Sequence, residues 1–225
     1  MHQVWGKLLF IHWPIEPKLL RPLIPAALEI DTFEGQAWIA VVPFTMWDIR
    51  PFPPYLPAVP GLSAMHELNV RTYVHLNGVP GVWFFSLDCN SASAVWGART
   101  FYYLPYFNAR IELQQREHII DYKLTRIDSP PASFNSTWEI GEPLPPATED
   151  SLEFFLTERY CLYSERKNSI YQSRVHHAQW PLRKATLNSY SAKMIQPLGL
   201  PEPAADPLLH YAEDISVDIW RLQKQ

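Results

Sequence analysis

The sequence predicts a mainly β fold of the α+β kind, one domain over residues 1–225 with a few helices covering the ends of a curved sheet. Two observations carry that prediction. Several segments alternate with period 2, as half-buried strands do. The chain also holds 22 prolines, roughly double the usual share of about 5%, and is 14% aromatic, which suits stiffly connected strands better than a helical bundle.

The clearest strand is Glu67 to His75. Glu67, Asn69, Arg71, Tyr73 and His75 fall on one face, and Leu68, Val70, Thr72 and Val74 on the other. Asn77-Gly78 supplies a hairpin turn, and Val82 to Asp88 pairs back. There Val82, Phe84, Ser86 and Asp88 lie on one side and Trp83, Phe85 and Leu87 on the other, so this strand is expected to be central. Thr100 to Leu104, Ala109 to Leu113, Ile119 to Ile127 and Ile215 to Leu222 read as further strands. Helices are few. Glu16 to Leu23 has Pro17 in its first turn and Pro25 as a stop. A second starts near Thr148, with Glu149 and Asp150 in the first turn and Leu152, Phe155, Leu156 and Arg159 at helical spacing, and runs to about Tyr160. A hairpin turning at Arg166 to Ser169 precedes a third expected helix around Leu182 to Met194. The proline-rich stretches Arg50 to Pro60, Glu142 to Pro146 and Pro197 to Pro207 read as connections too short to separate folding units.

Composition excludes several roles. At 47% apolar and 19% charged the chain has the balance of a globular protein. No run approaches the roughly 18 to 20 apolar residues of a membrane helix. The apolar run after Lys7 lacks a small-residue cleavage site, so a cytoplasmic location is expected and no membrane partner. A net charge of −4 with scattered basic residues gives no footprint for nucleic acid. Cys89 and Cys161 are expected as small buried hydrophobes. Gly-x-Gly-x-x-Gly, phosphate-loop and Gly-x-Ser-x-Gly motifs are absent, so no cofactor is expected. His66-Glu67 has Val70 where a zinc protease needs its second His. His176-His177 lies in a strand-like segment whose adjacent side chains point apart, so no metal site is expected there.

Taken together, His12-Trp13-Pro14, Asp31-x-Phe33-x-Gly35-x-Ala37-Trp38, Val42-Pro43-Phe44, Glu67 to Val74, Phe84 to Asp88, and Ala98-Arg99 followed by Leu104-Pro105-Tyr106 resemble the uncharacterised YqjF-like family of bacterial proteins over nearly the whole chain. That family is in turn similar to acetoacetate decarboxylase. The resemblance implies a cone-shaped, mostly antiparallel β-barrel with a solvent-excluded cavity and flanking helices. The decarboxylase carries a Pro-Lys-Lys segment whose first lysine forms an imine with the substrate ketone, its pKa depressed by apolar surroundings and a neighbouring cation. Here the matching stretch is Gly97 to Phe107, in which Pro105 is kept but Tyr106 and Phe107 replace both lysines. A phenol cannot form an imine. Glu67 falls where the decarboxylase has one active-site glutamate, and its second glutamate and its arginine have no evident counterparts.

If the odd face of the Glu67 strand points inward, Glu67, Asn69, Arg71 and Tyr73 line a cavity, with Arg99, Asp88 and Ser86 as candidate partners from neighbouring strands. Buried charges must be paired. One reading is a structural network in which Arg71 and Arg99 neutralise Glu67 and Asp88. The other leaves an arginine fork free to hold the carboxylate of a small organic acid. Tyr103, Tyr106, Trp13 and Trp180 would be aromatic walls, or simply core. His12 and His177 are the nearby groups that titrate near neutrality. Three roles remain. One is a lyase- or isomerase-like enzyme on a small keto or enol acid, with Arg71 holding the carboxylate and Glu67 or His177 moving a proton. The second is a binder of such an acid without turnover, and the third a solidly packed assembly protein, with a homo-oligomer left open throughout.

Overall fold

In a computed structural model that describes residues 1–50 and 64–225, strands dominate. In chain order they are β1 (His2–Gly6), β2 (Leu8–Ile15), β3 (Glu29–Ile30), β4 (Ala37–Arg50), β5 (Ala64–Leu76), β6 (Val79–Cys89), β7 (Tyr106–Arg116) and β8 (Ile119–Arg126). There follow β9 (Ser133–Pro143), β10 (Cys161–Arg166), β11 (Ser169–His177), β12 (Leu182–Ala192), β13 (Leu208–Ala212), β14 (Ile215–Ile219) and β15 (Gln223–Lys224). The helices are α1 (Pro17–Leu20), α2 (Ala92–Phe101) and α3 (Leu152–Thr157).

The pairings close a ring of 12 strands in the order β1-β14-β11-β10-β6-β7-β8-β9-β12-β13-β2-β4, with β5 inside it between β4 and β6. Strand β5 is thus a wall with a lobe on each face. The even residues Leu68, Val70 and Val74 join a core built with β2, β7, β8 and β9, around Ile11, Ile111, Tyr122 and Trp138. The odd face looks into a second core with β1, β10, β11 and β14, around Phe10, Phe44, Leu162 and Val217. Period-2 alternation on a strand buried from both sides therefore separates a polar-lined lobe from an apolar one.

Turn chemistry agrees with the sequence. Asn77 and Gly78 both take positive φ (52° and 78°) in the two-residue loop joining β5 to β6, the geometry that Asn-Gly favours. Lys167 and Asn168 do the same between β10 and β11.

Three expectations need correction. Residues Leu182 to Ala192 form strand β12 against β9, not a helix. Their Ala, Lys and Leu content favours helix, but Arg183, Ala185 and Leu187 are half-buried while Lys184, Thr186 and Asn188 are exposed, and tertiary pairing wins. Thr100 and Phe101 end helix α2, whose Ser91 N-cap accepts from the Ala94 amide, rather than starting a strand. The helix expected from Thr148 begins only at Leu152, after the Ser151 cap, and stops at Thr157. The proline-rich stretch after Arg50 lies outside the described residues. No described helix is long and apolar enough to cross a membrane.

Candidate functional site

Strand β5 presents Glu67, Asn69 and Arg71 to one cavity of about 100 Å³, a few water volumes in size. Neighbouring strands supply Phe44 and Leu87, the segment before β12 supplies Trp180, and β7 supplies Tyr106. Of the residues expected on the inward face, Glu67, Asn69 and Arg71 line this cavity, while Tyr73 does not.

Glu67 is 1% exposed. Burial raises its pKa to about 8, against a hydrogen bond that the Tyr106 hydroxyl donates to Oε2 at 2.6 Å, and the Asp88 charge adds to the rise. At neutral pH this carboxyl is mostly a neutral acid with a proton to give. From the other lobe, the Tyr122 hydroxyl pins the Glu67 backbone carbonyl at 2.9 Å.

Arg71 lies beside the rings of Phe10 (5.3 Å) and Tyr73 (5.9 Å). Its Nε is buried without a hydrogen-bond partner, and no ion pair to it occurs among the described residues. Residues 51–63 contain no Asp or Glu that could supply one. The side-chain oxygen of Asn69 is also buried and unpartnered. The cavity lining thus carries a neutral acid and, along the same strand, an amide oxygen and an arginine Nε that are buried without hydrogen-bond partners, while the Arg71 side chain also bonds the Tyr73 hydroxyl.

The candidate partners go elsewhere. A register shift between Val70 and Arg71 places Phe84 opposite Arg71 and Leu87 opposite Asn69. Phe84 and Leu87 therefore share the cavity face, while Ser86 and Asp88 turn to the other lobe. There Asp88 accepts a fork from Arg126 at 2.6 and 2.7 Å, with side chains 0% and 2% exposed. Burial raises the Asp88 pKa and the Arg126 hydrogen bond opposes the rise. Arg99 stands on the exposed side of α2, where it donates to Tyr106 O at 2.7 Å and pairs with Asp128 at 2.8 Å. The buried network is Asp88 with Arg126, and neither Asp88 nor Arg99 lies against Arg71.

His12 and Tyr73 lie behind Arg71. The Tyr73 hydroxyl donates to Leu156 O at 2.9 Å, so its 2.7 Å contact with His12 is a donation from His12 Nε2, and Nδ1 is left as a buried lone pair without a partner. Burial first, and then the Arg71 charge, hold this imidazole well below its usual range, so it is neutral. His177 does not line the cavity. It donates from Nδ1 to Ala178 O at 2.7 Å and packs 5.0 Å from Trp180, which does. Trp13 belongs to the opposite lobe, against Tyr190. Tyr103 faces a separate outer groove. Sequence reasoning overlooked Gln3 and Trp5 of β1, which also line the cavity. Their only signal is a two-residue spacing on a short strand. No lysine lines the cavity among the described residues, and 51–63 contains none. No group of three or more described His, Cys, Asp or Glu residues is placed to hold a metal.

Comparison with known proteins gives a consistent pattern. A model of the DUF2071 family, described as an uncharacterized conserved protein, matches residues 2–216. The uncharacterized protein YqjF of Bacillus subtilis (strain 168) is 43% identical over 225 residues, spanning 100% of this chain and 92% of that protein. Among solved structures, the enduracididine biosynthesis enzyme MppR complexed with pyruvate superposes with a TM-score of 0.67 at 12% identity, covering 99% of this chain and 89% of that one. An acetoacetate decarboxylase-like enzyme from Sphingomonas wittichii RW1 gives 0.65 at 12% identity, over 100% and 92%. Acetoacetate decarboxylase from Legionella pneumophila gives 0.61 at 13% identity, over 99% and 86%. At these identities the structural likeness speaks for the fold.

Proposed function

The chain belongs to the DUF2071 family of uncharacterized conserved proteins, and on that footing we propose that its cavity takes a small organic acid, a short keto or enol acid being the best fit. One observation carries this reading: the Arg71 side chain lines an apolar-walled cavity and makes no ion pair among the described residues. A planar guanidinium is built to bind a carboxylate through two parallel hydrogen bonds. Glu67 and Arg71 lie four residues apart on one strand, about 13 Å between Cα atoms, with Asn69 midway. A few-carbon acid held at Arg71 would offer a hydroxyl or enol to the Asn69 oxygen and its other end to Glu67.

The chemistry that follows is proton movement without an imine. A neutral Glu67 gives its proton to a carbon or oxygen of the bound acid and takes it back as the anion, with Tyr106 donating to the carboxylate so formed. That supports an enzyme of the lyase or isomerase kind over a binder without turnover. Assembly alone is the weaker reading, because a solidly packed lobe would leave no cavity at these three polar residues. MppR complexed with pyruvate makes pyruvate a natural first probe.

The experiment is a thermal melt across a panel of short acids. A ligand at 100 times its Kd should add about 2.7 kcal/mol to wild-type stability. Arg71→Lys keeps the charge but loses the fork, so the stabilisation should largely vanish while the protein still folds. A wild type indifferent to every acid, or a lysine variant that responds like it, would overturn the reading.

A further inference from the structure

Next to this cavity lies an open groove of about 500 Å³. Inner cavity and outer groove share Met1, Tyr102 and Ile219, so these side chains form the partition between them. Met1 is anchored by its amine to Ile219 O at 2.7 Å, and its unbranched side chain is an adaptable divider. The groove wall is aromatic, with Phe101, Tyr102, Tyr103 and Tyr171, joined by Arg221, and no acidic residue lines it among the described residues.

Tyr103 is held there at a cost. Tyr102 caps α2, and Tyr103 follows it in the left-handed region at φ 54°, the place where helices usually put glycine. A bulky residue is uncommon in that region. The turn lets consecutive tyrosines serve different spaces: Tyr102 lines both cavities, and Tyr103 only the outer one. The Tyr103 ring is buttressed by Tyr171, edge-on at 5.0 Å, and by the Arg166 guanidinium at 4.4 Å from its centroid.

We propose that this groove is a second subsite, which takes the aromatic body of an acid whose carboxylate is held at Arg71. Flat aromatic groups meet ring edges and faces favourably, and Arg221 adds a cation for a ring face. The inference rests on the reading of Arg71 above and narrows the ligand class to aryl-bearing short acids.

Calorimetric titration of the whole protein with pyruvate and with phenylpyruvate tests it. Phenylpyruvate should bind about tenfold tighter than pyruvate, the contribution of one buried ring. Tyr103→Gly removes the ring at a position where glycine relaxes the backbone. It should abolish that advantage, leave pyruvate affinity unchanged, and keep or raise the melting temperature. Tyr171→Leu removes the ring but keeps an apolar side chain, and should reduce the advantage independently. Phenylpyruvate binding no tighter than pyruvate, or an advantage that survives both variants, would overturn the subsite while pyruvate still answers to Arg71→Lys. Failure of both acids to bind would remove the Arg71 reading and the subsite with it.

Discussion

Replacing Glu67 by Gln should change the pH dependence of stability more than stability itself. In the folded protein the Glu67 carboxyl titrates at about 8, against an ordinary value of 4.5. Between those values the folded state keeps a proton that the unfolded chain has released, so stability falls as pH rises. Its contribution is fully present below 4.5 and lost as pH passes through 8. A gap of about 3.5 units at 1.36 kcal/mol each comes to roughly 5 kcal/mol. Gln is neutral throughout and still accepts from Tyr106, so it removes this term alone. Other buried groups are shifted as well. Burial lowers His12, His66, His177 and His210, which act in the opposite direction below their unfolded value, and raises Asp88, which acts in the same one. The difference between variant and wild type cancels them to first order. Urea unfolding at intervals from pH 5 to pH 9 should show the two proteins close at pH 5 and Glu67→Gln ahead by several kcal/mol at pH 9. A difference that stays flat across that range would refute the buried neutral acid, and with it the proton donor of the mechanism.

Further expectations follow from single contacts. Arg126→Met strands Asp88 without its fork and should cost about 3–5 kcal/mol at pH 7, less at low pH once Asp88 is protonated; chemical denaturation at pH 7 and pH 4 reads both. Gly81→Ala puts a Cβ 2.8 Å from the Cys161 carbonyl and from the Tyr163 ring, where β10 pairs in parallel with β6, and should lower stability by about 1–3 kcal/mol, with an unchanged melt contradicting the close approach. Acetoacetate with borohydride should leave the intact mass unaltered, because no lysine lines the cavity among the described residues; a stable adduct on any lysine would sink that claim.

How much of this was legible in the sequence depends on what sets each feature. The alternation from Glu67 to Tyr73 is local, so the face carrying Glu67, Asn69 and Arg71 could be read directly, and Asn77-Gly78 fixed its hairpin. The partners could not. A one-residue bulge opposite Arg71 turns Ser86 and Asp88 away and brings Phe84 and Leu87 in, and no residue type announces a bulge there. Arg126, the true partner of Asp88, lies 38 positions along the chain on β8, and only the closed ring brings it near. Strand β12 looked helical because its propensities are helical, and pairing with β9 overrode them. His12 and His177 stood out for their titration near neutrality, yet each is held by a hydrogen bond beside an aromatic ring, His12 to the distant Tyr73 and His177 to the neighbouring Ala178 carbonyl.

The central claim is an arginine fork open to a carboxylate, and the most direct measurement is the NMR signal of the Arg71 Nε–H itself. Arginine Nε resonances of the labelled protein can be assigned to Arg71 by their loss in Arg71→Lys, and then followed while pyruvate is added. An unpartnered Nε–H that gains a charge-assisted bond should move downfield and saturate, with the other arginines, including the paired Arg126, unmoved. An Arg71 signal that stays fixed while the acid binds elsewhere, or while no acid binds at all, would contradict the account.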